Sequence, residues 1–256
     1  MTAPLAADDL PTLHRLLTGR APVTRIVWQG RPAWAKRCMR ARWHERALLA
    51  LAPLLRRWLA PQAAFRPVRR DAALPVEAQR LAELHRAGCG VPRLIAADRE
   101  LLVVEDCGRN LEHLVQDEPQ PPLRLQWLRE AAADLGRFHA AGQWHGGAQL
   151  RNLLRQDDGT LARIDFETAL DAHFPLPVLQ AIDAALFFTS VARFGDAAPA
   201  AEVAPAYLQF APEAARAVLR RGAPLLGTLA RSRLLQRLAP KEAARLRGVA
   251  AVVPLL

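Results

Sequence analysis

The chain of 256 residues is 51% hydrophobic and 23% charged, enough to bury a core and to make one large domain or two small lobes. It contains no run of about 18 uncharged apolar residues and no basic-then-apolar leader, so the reading is a soluble globular protein of the cytoplasm without a transmembrane segment. The formal charge of +10 points to an acidic partner such as nucleic acid, an anionic membrane surface or a phosphorylated substrate, although an arginine-, alanine- and leucine-rich composition is equally what a GC-rich genome produces.

Cys38, Cys89 and Cys107 are odd in number and lack the paired CxxC spacing of a structural zinc site, and are read as reduced, buried thiols. Against the arginine habit, the chain keeps two lysines, Lys36 and Lys241. A lysine retained there is one that chemistry can require, because an ammonium is a compact point charge and a guanidinium a broad fork.

In chain order, residues 23–29 and 32–39 read as two strands joined by a tight turn at Gly30, which places Lys36 on the second strand of a hairpin. A leucine-rich segment, 43–59, with Arg42, Arg46, Arg56 and Arg57 reads as a helix kinked at Pro53; with the arginine-rich connector after it, it makes an insertion over about 40–70. Residues 77–87 are a second helix, opened by Glu77, with Leu81 and Leu84 for the core and a stop at Gly88 and Gly90. Two short strands follow at 93–97 and 101–106, the second an apolar run of the kind buried on both faces.

Beyond Gly108 the pattern turns mostly helical. Asn110 is a cap for 111–116, a long helix covers 123–141, and a loop at 145–152 leads into a hairpin, 153–156 with 161–166, turned by Asp157, Asp158 and Gly159. A helix over 177–194 and several arginine- and alanine-rich ones complete the chain. A strand-rich first lobe, 1–108, and a helical second lobe, 109–256, make an α+β, bilobal protein.

The residues that carry chemistry are His145, Gly146, Gly147, Ala148, Gln149, Leu150, Arg151 and Asn152, followed after the hairpin by Ile164, Asp165, Phe166 and Glu167. This order resembles the protein-kinase signature, in which H-x-D-x-x-x-x-N precedes D-F-G. Leu135 to His139 and Asp183 within Ile182 to Leu186 are similar to the aminoglycoside phosphotransferase and bacterial lipopolysaccharide kinase branch. The resemblance runs over residues 23–194 and implies a protein-kinase-like fold that binds ATP and Mg2+. By it, Lys36 would pair with the α- and β-phosphates, Glu77 would orient Lys36, and Glu105 would close the strand that runs into the adenine hinge. Asn152 and Asp165 would hold the metal, His145 and Gln149 would belong to the catalytic set, and Asp183 would support the loop from beneath. Each residue alone has an ordinary explanation as a surface lysine, first-turn acid, turn residue, cap or core imidazole; the shared order and spacing do not.

Two departures accompany the likeness. Gly147 stands where the resembled kinases have the aspartate that orients the acceptor hydroxyl, and residues 12–23 offer only Gly19 for a glycine-rich loop. Three readings stay open: a phosphotransferase in which Gln149 or Glu167 orients the acceptor, a pseudokinase that uses nucleotide as a structural ligand, and an AMP-transferring enzyme resembling selenoprotein O, whose loop lacks the same aspartate. The resemblance to lipopolysaccharide kinases implies an acidic glycolipid or small-molecule acceptor, with the protein peripheral to an anionic inner-membrane surface. Nucleic acid, as for the small kinase of the KEOPS complex, has the charge and the His-Gly opening in its favour but no aromatic stacking platform. Glu105 and Asp106 are adjacent and point to opposite faces, His139 and His145 lack further ligands at metal spacing, and Ser190 and Ser232 lack a nucleophile elbow.

Overall fold

The computed structural model describes residues 5–37, 56–61, 73–166, 170–195, 197–231 and 240–255, with Pro53 and Arg237. Strands β1 (Leu5–Ala7), β2 (Val23–Trp28), β3 (Arg31–Arg37), β4 (Leu94–Ala97) and β5 (Leu101–Glu105) form a five-stranded sheet in the order β1-β2-β3-β5-β4. The β2–β3 hairpin pairs Val23 with Lys36 and Trp28 with Arg31, leaving Gln29 and Gly30 as a two-residue turn. Their φ values of 47° and 78° are both positive, the geometry whose twist matches the flanking strands.

The alternation of side chains along β3 decides what lies on each face of this sheet. Ala33 and Ala35, with Ile26, Trp28, Leu101 and Val103, pack against Leu13 and Leu17 of helix α1 (Leu10–Leu17). Lys36 and its cross-strand partner Leu102 point the other way, and Leu102 joins the larger core that includes Ala78, Leu81 and Leu84 of helix α2 (Ala73–Arg86). Each fully buried leucine there contributes ~1.5–3 kcal/mol.

The second half contains a three-stranded sheet of β6 (Arg109–Asn110), β7 (Leu153–Arg155) and β8 (Leu161–Arg163), with helices α3 (Leu111–Asp117), α4 (Pro121–Ala140), α5 (Leu176–Val191), α6 (Ala197–Leu208), α7 (Glu213–Arg231) and α8 (Pro240–Val252). Asn110 caps α3 by accepting from His113 N at 3.2 Å. By length and composition Leu176–Phe194 could cross a membrane, but in this fold it is mostly buried as the central helix of the core, with Asp183 fully enclosed. The protein is α+β, strand-rich first and helical afterwards.

The structure adds strands β1 and β6 and helix α1 to the sequence reading and starts α2 earlier. β1 pairs with β2 in parallel, which requires a crossover, and α1 supplies it with Asp9 accepting from Thr12 N at 2.7 Å as its cap. Helix α2 begins at Ala73, not at Glu77, because Pro75 lies in the first turn, where its missing N–H costs no helical bond. Most of the 40–70 insertion, with Cys38, Arg42 and Arg46, lies outside the described residues. Its helical stretch 56–59 is fastened to α7, where Arg221 Nη1 donates to Leu59 O at 2.6 Å.

At the end of α2 the chain runs against the β7–β8 hairpin. Arg163 N donates to Gly90 O at 2.7 Å, and a Cβ on Gly90 would stand 2.1 Å from Leu161 O. Gly90→Ala is therefore expected to destabilise the fold by ~2 kcal/mol or more, read from the urea midpoint; an unchanged midpoint would show that this junction can separate without cost.

Candidate functional site

Lys36 reaches across the interface of the two halves. Its Nζ donates to Glu77 Oε1 and Oε2 at 3.2 and 3.0 Å and to Asp165 Oδ1 at 2.5 Å. Glu77 is buried to 2% exposure on α2, whereas the Asp165 side chain keeps 37% and faces the open side. Glu77 Oε1 also accepts from Phe166 N at 3.3 Å, so one carboxylate joins the strand lysine to the 164–166 segment. Asp165 holds φ at 75°, a left-handed conformation that aspartate adopts more readily than most residues.

The hairpin brings Asn152 beside this group. Its register pairs Leu153 with Arg163, and Ile164 N donates to Asn152 O at 3.0 Å, which leaves Asp165 one residue further on. Asn152 is buried and its Nδ2 donates to Gly147 O at 2.8 Å, so Oδ1 is the oxygen it has left for a cation.

Below the loop, Asp183 on α5 accepts from His145 N and, at 2.7 Å, from Gly146 N. Ser190 Oγ accepts from Leu150 N at 3.1 Å and donates to Phe187 O, which accounts for this serine as a brace. His145 is wholly buried, stacks on Phe166 with centroids 4.4 Å apart, and accepts from Gly147 N through Nδ1 at 3.1 Å. It shapes the loop and has no open face toward a substrate. Burial brings its pKa from 6.5 down to about 4, against the pull of Asp183 and with help from Arg163 and Arg80. Burial lowers His139 likewise, and its Nδ1 lies 3.0 Å from the Tyr207 hydroxyl. Burial alone would raise Asp183, but His139 and the His145 N–H hold it below its ordinary value.

Gln149, two residues after Gly147, is half-buried, and its side chain makes no hydrogen bond with the described residues. Glu105 turns its carboxylate to Arg93, the residue before β4, accepting from Arg93 N at 2.9 Å. Asp106 turns instead to Arg25 Nη2 at 2.7 Å, apart from Glu105 as strand alternation requires. Cys89 and Cys107 are free and half-buried, and burial with Glu105 and Asp106 raises the Cys107 thiol to about 12. Glu167 lies outside the described residues.

One contributor was not visible in the sequence. Arg80, three residues after Glu77, is buried with Nη1 donating to His145 O at 3.3 Å and Nη2 to Trp144 O. The i,i+3 spacing from Glu77 was the available signal.

At Gly147 an added Cβ would lie 3.3 Å from Asn152 Nδ2 and 3.7 Å from His145 Nδ1, close but not blocked. The connection between β1 and β2 is helix α1, packed on the sheet face opposite Lys36, so no glycine-rich loop is supplied from there.

The described residues form an α+β scaffold, strand-rich and then helical, that brings a lysine, a glutamate, an asparagine and an aspartate together. Among solved structures the chain is similar to a MAP kinase from Leishmania major, at 16% identity and a TM-score of 0.41, over 94% of this chain and 80% of that one. No protein-family model and no curated protein matches the sequence. At that identity and TM-score the likeness carries no argument about this chain.

The buried imidazoles set an acid limit. Between pH 6.5 and about 4 the unfolded chain takes a proton that folded His145 refuses, so stability is full above 6.5 and falls as pH drops. A slope approaching ~1.4 kcal/mol per pH unit for each such imidazole is expected in urea unfolding, and His145→Gln should flatten it by about one imidazole's share. An unchanged slope in that variant would assign the acid sensitivity to other groups.

Proposed function

We propose that this chain is an ATP-dependent, kinase-like phosphotransferase. The observation that carries the reading is Lys36, bonded to Glu77 and Asp165 at 2.5–3.2 Å, with Asn152 set beside Asp165 by the hairpin register. A buried helix glutamate orients the ammonium, and the ammonium has the reach of a phosphate clamp. The donors fit Mg2+: a half-exposed carboxylate and an amide oxygen are hard ligands, too few to cage the ion and suited to sharing it with phosphates. When bound, the ion neutralises phosphate charge. The protein's part is to place Lys36, Asp165 and Asn152 and to hold the 145–152 loop rigid on Asp183.

Phosphoryl transfer proceeds through a loose transition state, so positioning and charge neutralisation provide most of the acceleration and a strong base at position 147 is dispensable. Gln149, two residues after Gly147, is the loop side chain we assign to orienting the acceptor. An anionic acceptor, a glycolipid headgroup or a small phosphorylated molecule, suits the charge of +10 and the exposed Arg57 and Trp58 on the 56–59 helical stretch.

At saturating ATP and magnesium the melting temperature is expected to rise by roughly 5–10 °C, and Lys36→Met and Asp165→Asn should each abolish the rise. Asparagine is the informative choice at 165 because it tolerates the same φ. No rise in the wild type would sink the nucleotide site. Release of ADP identifies phosphoryl transfer, pyrophosphate identifies AMP transfer, and binding without either identifies a pseudokinase. Gly147→Asp is expected to fold, since an added Cβ stands 3.3 Å from Asn152 Nδ2, and to give no gain in ADP release; a gain of about tenfold or more would mark a vestigial site, and a loss would mean that the glycine belongs to a different chemistry.

A further inference from the structure

We infer that Arg80 is a positioning residue that locks helix α2 to the 145–152 loop, so that the Lys36 site is assembled before any ligand arrives. The inference rests on the nucleotide-site reading for its consequence, but not for its geometry.

Helix α2 touches three separate parts of the site from one face. Glu77 takes the Lys36 ammonium and the Phe166 N–H, and Arg80, one turn later, takes the carbonyls of Trp144 and His145. Arg80 is 6% exposed, and its guanidinium carbon lies over the Trp144 ring, 3.8 Å from the centroid, and over the Phe166 ring, 5.1 Å from its centroid. Phe166 in turn stacks on His145. Swinging α2 away would break both carbonyl bonds and strip a buried cation of two aromatic faces. A lysine could not replace it, since a point charge cannot fork to two successive carbonyls while lying over both rings.

This arrangement makes Arg80 more than filler. Residues 144–145 precede Gly147, whose carbonyl holds Asn152, and Phe166 follows Asp165. Both oxygen donors proposed for the metal are thus one or two contacts from the guanidinium. Loss of Arg80 should loosen the metal side of the site while leaving the hinge at Glu105 and Cys107 in place.

The test compares wild type, Arg80→Met, Arg80→Lys and a control, Arg155→Met, which breaks the Arg155–Glu130 pair in β7 away from the site. Two measurements are made on the whole chain below its melting temperature. In hydrogen exchange, the amides of Gly146, Gly147 and Phe166 are expected to exchange at least about tenfold faster in both Arg80 variants and within about threefold of wild type in the control. In calorimetry, the affinity for ATP with magnesium should fall about tenfold or more in the Arg80 variants, while the affinity for ATP in EDTA changes by less than about threefold. Protection equal to the control's, or full recovery in Arg80→Lys, would overturn the inference. If the wild type binds no nucleotide, the proposed function fails, and the exchange data alone decide whether Arg80 couples the helix to the loop.

Discussion

The Lys36 ammonium lies between two carboxylates that arrive from different segments, Glu77 on α2 and Asp165 after the β7–β8 hairpin. Removing a lysine side chain from water is costly, and a close carboxylate pair offsets that cost only when geometry is good. The pairing is therefore weak evidence of added stability and stronger evidence of specified arrangement. The three groups tie the sheet, the helix and the hairpin into one position. Asp165 also sits at φ 75°, a strained backbone costing ~1–3 kcal/mol that persists because the lysine and the Phe166 N–H contact hold it.

A second constraint lies beneath the first. Asp183 is a fully buried carboxylate whose oxygens accept from two successive loop amides, with neutral imidazoles around it. A buried ionised group survives where donors converge on it, so the backbone at 145–146 can take few other courses. His145 then reads as a spacer between Asp183 below and Phe166 above. The loop and the 164–166 segment are fixed relative to each other by stacking, while α2 addresses both through Glu77 and Arg80.

Much of this was legible in the sequence, for identifiable reasons. The β2–β3 hairpin follows from β-branched and aromatic residues around Gly30, and the grouping of Lys36, Glu77, Asn152 and Asp165 from the order and spacing of their segments, which are insensitive to tertiary detail. Strand β1 was not legible because three residues paired at a sheet edge carry no periodicity of their own, and α1 was passed over although Asp9 and Pro11 mark its start. The sequence reading opens the second helix at Glu77, whereas the helix starts at Ala73 with Pro75 inside its first turn, where proline is tolerated. Arg80 could not be singled out from a chain so rich in arginine; only burial separates it from its solvated neighbours.

Gly147 tells what kind of departure this site represents. A site that had lost its chemistry by drift would be expected to lose its buried polar supports as well, because each is expensive once its purpose is gone. Here Asp183, Asn152, Glu77 and Lys36 keep their partners, and Gly147 is itself engaged, its carbonyl accepting from Asn152 Nδ2 at 2.8 Å and from Gln149 N at 2.6 Å. The missing group is the one that would act on an acceptor, whereas the retained groups are those that would hold a nucleotide and its metal. Within the proposed phosphotransferase reading, these intact supports fit a site whose acceptor chemistry is arranged differently better than a scaffold in decay.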